Sequence, residues 1–152
     1  MAGRTGKPLI RTVVFWDTTA LVPLCVGQKT TTRAIALYKT YEVAVWWATQ
    51  VEIASALARL VRTRELASSE STKARNLAQR LVNSWFVVQP SDALRTKAIE
   101  LVERYDLRAA DSFQLAAALV WSEDAPRGRV FLTVDPRLRE AAQLSGFDAI
   151  QI

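Results

Sequence analysis

LRAADSFQLAAAL (residues 107–119) and VFLTVDPRLREAA (residues 130–142) flank a short polar connection ending in DAPRGR. The first stretch carries apolar residues at helical spacing behind an acidic opening turn. The second begins with β-branched and aromatic residues and passes at Asp135-Pro136 into another helical pattern. Proline suits the first helical position because the amide hydrogen it lacks has no intrahelical acceptor there. Helix, strand and helix in this order predict a parallel sheet with crossover helices.

The same alternation extends in both directions. Strands are predicted near Thr12–Trp16, Val43–Trp46, Trp85–Val88, Val130–Thr133 and Ala149–Ile152. Helices are predicted near Thr30–Tyr41, Gln50–Thr63, Glu70–Asn83, Asp92–Tyr105, Ala109–Ser122 and Pro136–Ser145. Thr49, Ser69 and Ser91 read as N-caps, and Gly146 as the residue after a helix end. The expected architecture is a three-layer α/β/α sandwich around a mostly parallel, five-stranded sheet. One domain over residues 1–152 is expected, with residues 1–10 a flexible N-terminal segment.

The chain has 152 residues, half of them hydrophobic, and is long enough to bury roughly two-thirds of its unfolded surface. Charges interrupt every apolar run before it reaches the roughly 20 residues of a membrane span. MAGRTGKPLIR shows no secretory pattern, so a cytoplasmic location and no membrane association are expected. A net charge of +5 and a sequence pI near 9.8 suit an anionic partner, nucleic acid first and an acidic protein segment second.

Histidine is absent. That removes imidazole general-base chemistry, histidine-based triads and imidazole-ligated zinc, and leaves carboxylates as the candidate chemical groups. Cys25 is alone in the apolar setting ALVPLCVG and reads as a buried small hydrophobe.

Four acids stand at the ends or starts of elements: Asp17 after TVVFW, Glu52 and Asp111 early in helices, and Asp135 after VFLTV. Each has a purely structural reading. Asp17 can cap the segment TTALVPL, Thr49 and Glu52 have capping-box spacing, Asp111 complements a helix dipole, and Asp135 can start a helix. Together, two acids at strand ends and two at helix starts converge at the carboxyl edge of the sheet, where open α/β folds bind ligands. Clustered carboxylates repel unless a cation lies between them, and magnesium or manganese is the matching hard ion. Such an ion activates water and stabilises phosphoryl charge without histidine.

VVFWDTTALV, QVEIASALARL, LRAADSFQLAAAL and FLTVDPRLREAA resemble, in order, the four acidic signatures of the PIN-domain nucleases, particularly the VapC-like toxins of bacterial toxin–antitoxin pairs. The resemblance spans nearly the whole chain. It implies a parallel sheet, Mg(II) or Mn(II) dependence, endonucleolytic cleavage of RNA, dimerisation and inhibition by a cognate antitoxin. Carried over by motif, Asp17, Glu52, Asp111 and Asp135 form the catalytic, metal-holding set, with Thr133 as a substrate-positioning hydroxyl. Many relatives carry a further acid two residues beyond the Thr-x-Asp aspartate. Arg137 stands there instead, which leaves one ion or two open.

Other phosphate-handling classes fit less well. There is no Gly-x-x-x-x-Gly-Lys loop and no Gly-x-Gly-x-x-Gly after the first strand. Thr19 occupies the position where a haloacid-dehalogenase-like phosphatase has its second aspartate, and the aspartate and lysine pairing of a receiver domain is missing. Arg59, Arg62, Arg64, Lys73, Arg75 and Arg80 read as solvated helix faces, with RNA backbone contact as the functional alternative. For Trp16, Trp46, Trp47, Trp85 and Trp121, core or dimer-contact roles outrank base stacking. The reading is a metal-dependent endoribonuclease; the alternative is a non-catalytic RNA- or protein-binding module of the same fold whose acids only cap helices.

Overall fold

A computed structural model describes residues 10–152. The flexible segment expected over residues 1–10 lies, apart from Ile10, outside the described residues. The elements in chain order are β1 (Val13–Trp16), α1 (Thr18–Cys25), α2 (Thr31–Thr40), β2 (Glu42–Trp46), α3 (Thr49–Arg62) and α4 (Ser68–Val82). They continue with β3 (Phe86–Val88), α5 (Asp92–Arg104), α6 (Ala109–Trp121), β4 (Val130–Thr133), α7 (Pro136–Leu144) and β5 (Asp148–Gln151).

All five strands are parallel, in the order β3-β2-β1-β4-β5. Alternation along the strands separates two cores. Phe15, Ala44, Trp46 and Phe131 face a cluster built with α5, α6 and α7. Val14, Trp16, Val43, Val45 and Leu132 face the opposite side, where α1, α3 and α4 pack. The three-layer sandwich therefore follows from a period of two on each strand and one apolar stripe on each helix.

This strand order has a functional consequence. The chain moves outward from β1 through β2 to β3, then returns to the other side of β1 to lay down β4 and β5. The reversal falls between β1 and β4. There the connections at the carboxyl ends leave toward opposite faces and open a crevice. Asp17 and Asp135 follow the two strands that border it.

Helix α1 is absent from the six helices predicted from sequence. Pro23 within it removes a backbone donor and argues against a helix there. Burial outweighs that penalty, since Ala20 and Leu21 are fully enclosed. Two caps also differ from expectation. Thr49 is the first helical residue of α3 rather than its cap, following Ala48 in αR conformation. Helix α4 starts after Ala67 rather than Ser69, and the Glu70 carboxylate accepts the Ala67 N–H at 2.9 Å. Ser91, Pro136 and Gly146 take the positions predicted: Ser91 Oγ accepts from the Leu94 N–H at 3.1 Å, and Gly146 follows the α7 C-cap with a φ of 105°.

Candidate active site

Asp17 directly follows the central strand and caps α1, so β1 positions its backbone and α1 carries the chain away from it. It is almost fully buried, at 2% exposure. Its Oδ2 accepts hydrogen bonds from the Thr133 hydroxyl at 2.9 Å, the Thr19 N–H at 3.3 Å and the Thr19 hydroxyl. Thr133, on the neighbouring strand, also accepts from the Asp135 N–H at 3.0 Å, tying the ends of β1 and β4 together. The Val134 N–H donates to the Thr19 hydroxyl at 3.0 Å and closes the same network. Burial raises the Asp17 pKa to about 6; the threonine donors oppose this and the nearby Glu52 charge reinforces it.

Glu52 lies one turn into α3 and does not form the capping box expected from its spacing. Its Oε2 accepts from the Thr18 hydroxyl at 3.0 Å and from the Gln114 amide at 3.1 Å. Gln114 Nε2 also donates to the Thr18 hydroxyl at 2.9 Å, joining α1, α3 and α6 in one polar triangle. Partial burial raises the Glu52 pKa, opposed by these two donors and reinforced by the Asp111 charge. Neither Thr18 nor Gln114 was singled out from the sequence. The available signal was helical spacing: Gln114 stands three residues after Asp111, on the same side of α6, within an otherwise apolar run.

Asp111 is half-buried in the first turn of α6. Desolvation and the charge of Asp135 raise its pKa, while the Arg108 backbone and the Arg108 and Arg137 side chains pull it down. Asp135 caps α7, as the structural reading predicted: its Oδ1 accepts from the Arg137 and Leu138 N–H groups at 2.8 and 3.2 Å. Arg137 is exposed, and its guanidinium lies 3.7 Å from Asp106.

The four carboxylates thus form an electrostatic series in which Asp17 feels Glu52, Glu52 feels Asp111, and Asp111 feels Asp135. Among the described residues, no three acidic or cysteine side chains stand close enough to surround an ion directly. The donor set nonetheless fits a hard cation that keeps water in part of its shell. In Asp17, Glu52 and Asp135, one carboxylate oxygen accepts the hydrogen bonds from the fold, and the other accepts none among the described residues.

A PIN domain model matches residues 14–144, from the second residue of β1 to the last of α7. The chain belongs to the PIN domain family. No curated protein sequence matches it. Solved structures share its fold at low identity. The VapBC2 structure from Rickettsia felis, bound to a DNA fragment from the promoter, is 9% identical with a TM-score of 0.62, over 92% of this chain and 98% of that one. FitAcB from Neisseria gonorrhoeae is 16% identical with a TM-score of 0.61, over 89% and 96%. A toxin–antitoxin complex from Klebsiella pneumoniae is 14% identical with a TM-score of 0.57, over 80% and 86%.

The rest of the PIN domain bears on the site indirectly. Arg59, Arg62, Arg64, Lys73, Arg75 and Arg80 are all exposed. Cys25 is partly buried, and burial pushes its thiol up to about 11, so it is poorly nucleophilic. Among the described residues, no helix is long and apolar enough to cross a membrane.

Proposed function

We propose that this PIN domain is a divalent-metal-dependent endoribonuclease and the toxin of a toxin–antitoxin pair. The observation that carries the reading is the series of four carboxylates at the reversal point of the sheet, three of them with raised pKa values. Burial of these acids, reinforced by their mutual repulsion, is a cost that a structural cap does not require and a bound cation relieves. Family membership and the toxin–antitoxin complexes among the similar structures support the same reading.

Asp17, Glu52, Asp111 and Asp135 would hold Mg(II) or Mn(II). A divalent ion at this site supplies an activated water and Lewis-acid stabilisation of phosphoryl charge, which a chain without histidine otherwise lacks. Thr133 and Thr19 hold Asp17 Oδ2, which leaves the other oxygen free of hydrogen bonds from the described residues. Gln114 and Thr18 do the same for Glu52. Arg108 and Arg137 bring positive charge beside Asp111, where an RNA phosphate would otherwise meet only carboxylates.

The test is cleavage of single-stranded RNA by purified protein in magnesium, in manganese and in excess chelator. Cleavage that needs the metal and is lost in Asp111→Asn, with unchanged circular dichroism, is the expected result. Full cleavage in chelator, or by Asp111→Asn, would refute it.

A further inference from the structure

Beyond the acids, the carboxyl edge of the sheet carries a second feature. Past the end of β2, Trp46, Trp47, Pro90, Arg95 and Phe113 line an open groove of about 330 Å³. Trp46 is buried and lies parallel to Phe113 of α6, with ring centroids 5.6 Å apart and 3° between planes. Trp47 meets Trp46 at 67°, with centroids 6.3 Å apart. Its backbone N–H donates to the Val88 carbonyl at 3.0 Å, extending the β2–β3 ladder and fixing the backbone from which the indole projects. Yet 53% of Trp47 is exposed. Of the five tryptophans it is the one left largely open to solvent: Trp16, Trp46 and Trp85 are in the core and Trp121 is half-buried.

The location ties this groove to the acids. Strand β2 is adjacent to β1, which Asp17 follows, and β3 lies one strand further out. Neighbouring strands stand about 4.8 Å apart, so the groove begins roughly 5 to 10 Å along the same edge from Asp17. Helix α6 joins the two regions physically, since it presents Asp111 and Gln114 to the acids and Phe113 to the groove. The groove holds the exposed indole of Trp47, set edge-on to the Trp46–Phe113 stack, and the exposed guanidinium of Arg95, paired at 3.0 Å with Asp92, which also lines it. An aromatic face beside an exposed cation suits an unpaired base and its phosphate.

On the ribonuclease reading, we infer that Trp47, braced edge-on by Trp46, stacks an unpaired base of the RNA substrate next to the cleaved phosphate, with Arg95 contacting the adjoining backbone. The subsite makes the enzyme selective for single-stranded RNA, because a paired base cannot present its face to the indole.

The test uses a single-stranded oligoribonucleotide that the wild type cleaves, and a series of the same oligonucleotide with one base removed at successive positions. Trp47→Ala should raise KM roughly 5- to 100-fold, the effect of losing one base–aromatic stack, with little change in kcat. Trp47→Phe should recover most of that loss. One abasic position should weaken the wild type by the same factor and leave Trp47→Ala unaffected. Circular dichroism and light scattering are measured on each variant. Wild-type KM in Trp47→Ala, or an abasic profile identical in both proteins, overturns the inference while leaving the ribonuclease reading intact. Unchanged KM with an altered oligomeric state assigns Trp47 to a protein interface and overturns it equally. A wild type that cleaves no RNA removes both readings.

Discussion

Asp17 should destabilise the metal-free protein at neutral pH, and the size of that effect follows from its burial. Its carboxyl shifts from an ordinary 3.8 to about 6 in the fold. That difference corresponds to about 3 kcal/mol between the protonated and ionised forms. Because the folded state holds the proton more tightly than the unfolded chain, the contribution is fully present below 3.8 and is lost as pH rises through 6. Glu52 and Asp111 are shifted the same way and add slope of the same sign.

Asp17→Asn isolates the effect. The amide oxygen still accepts from Thr133 and Thr19, while the charge and the titration disappear. Urea unfolding in chelator should therefore show the stability of the wild type minus that of Asp17→Asn falling by about 2 to 3 kcal/mol between about pH 4 and pH 7. At neutral pH, added magnesium should then restore the wild type by RT ln(1 + [Mg]/Kd), about 2.7 kcal/mol at one hundred times Kd, and leave the variant unmoved. A difference curve that is flat or rises with pH would refute the desolvation argument. Equal stabilisation of both proteins by magnesium would remove Asp17 from the metal site.

Three further outcomes follow from the same geometry. Glu52→Gln should keep unfolding within about 1 kcal/mol of wild type, because its amide oxygen still accepts from Thr18 and Gln114, yet lose most RNA cleavage; full activity in a cleavage assay would return Glu52 to a structural role. Gln114→Leu removes the donor that orients Glu52 and should lower cleavage about 10- to 100-fold at saturating RNA, with metal affinity weakened in a titration. Asp135→Asn should keep the α7 cap and lose activity, whereas Asp135→Ala should lose about 1 kcal/mol of stability as well, separable by urea midpoints measured beside the cleavage rate.

The strands and most of the helices were legible because their signals are local. Val130–Thr133 carries its own β-branched and aromatic bias, and Pro136 marks where α7 begins. The positions of Asp17 and Asp135 at strand ends follow directly from those assignments. Helix α1 was not legible, because local propensity around Pro23 opposes a helix and only packing against α2, α3 and α4 overrides it. The Thr49–Glu52 spacing misled for a related reason. A capping box needs an extended residue at the cap, but Thr49 is already helical and its fully buried hydroxyl finds no partner among the described residues, which leaves Glu52 to turn toward α1 and α6. Thr18 and Gln114 are far apart in sequence and meet only through layer packing, so no spacing rule reveals their pairing.

Capping a helix and binding a cation are not competing roles for these acids. A carboxylate has two oxygens, and a backbone N–H or hydroxyl that bonds one of them fixes the direction of the other. At Asp17 the bonded oxygen ties the residue to the end of β4, at Glu52 to the start of α1 and to α6, and at Asp135 to the start of α7. Those bonds prevent the carboxylates from rotating apart to relieve their repulsion, so part of the cost of assembling like charges is met during folding. The rise in pKa and the order of the side chains are then consequences of one arrangement. A purely structural acid gains from its bonded oxygen and has no use for the strain on its neighbours. Burial, and to a smaller degree the charge of a neighbouring carboxylate, raises Asp17, Glu52 and Asp111 together, a cost that a cation held by the unbonded oxygens would offset.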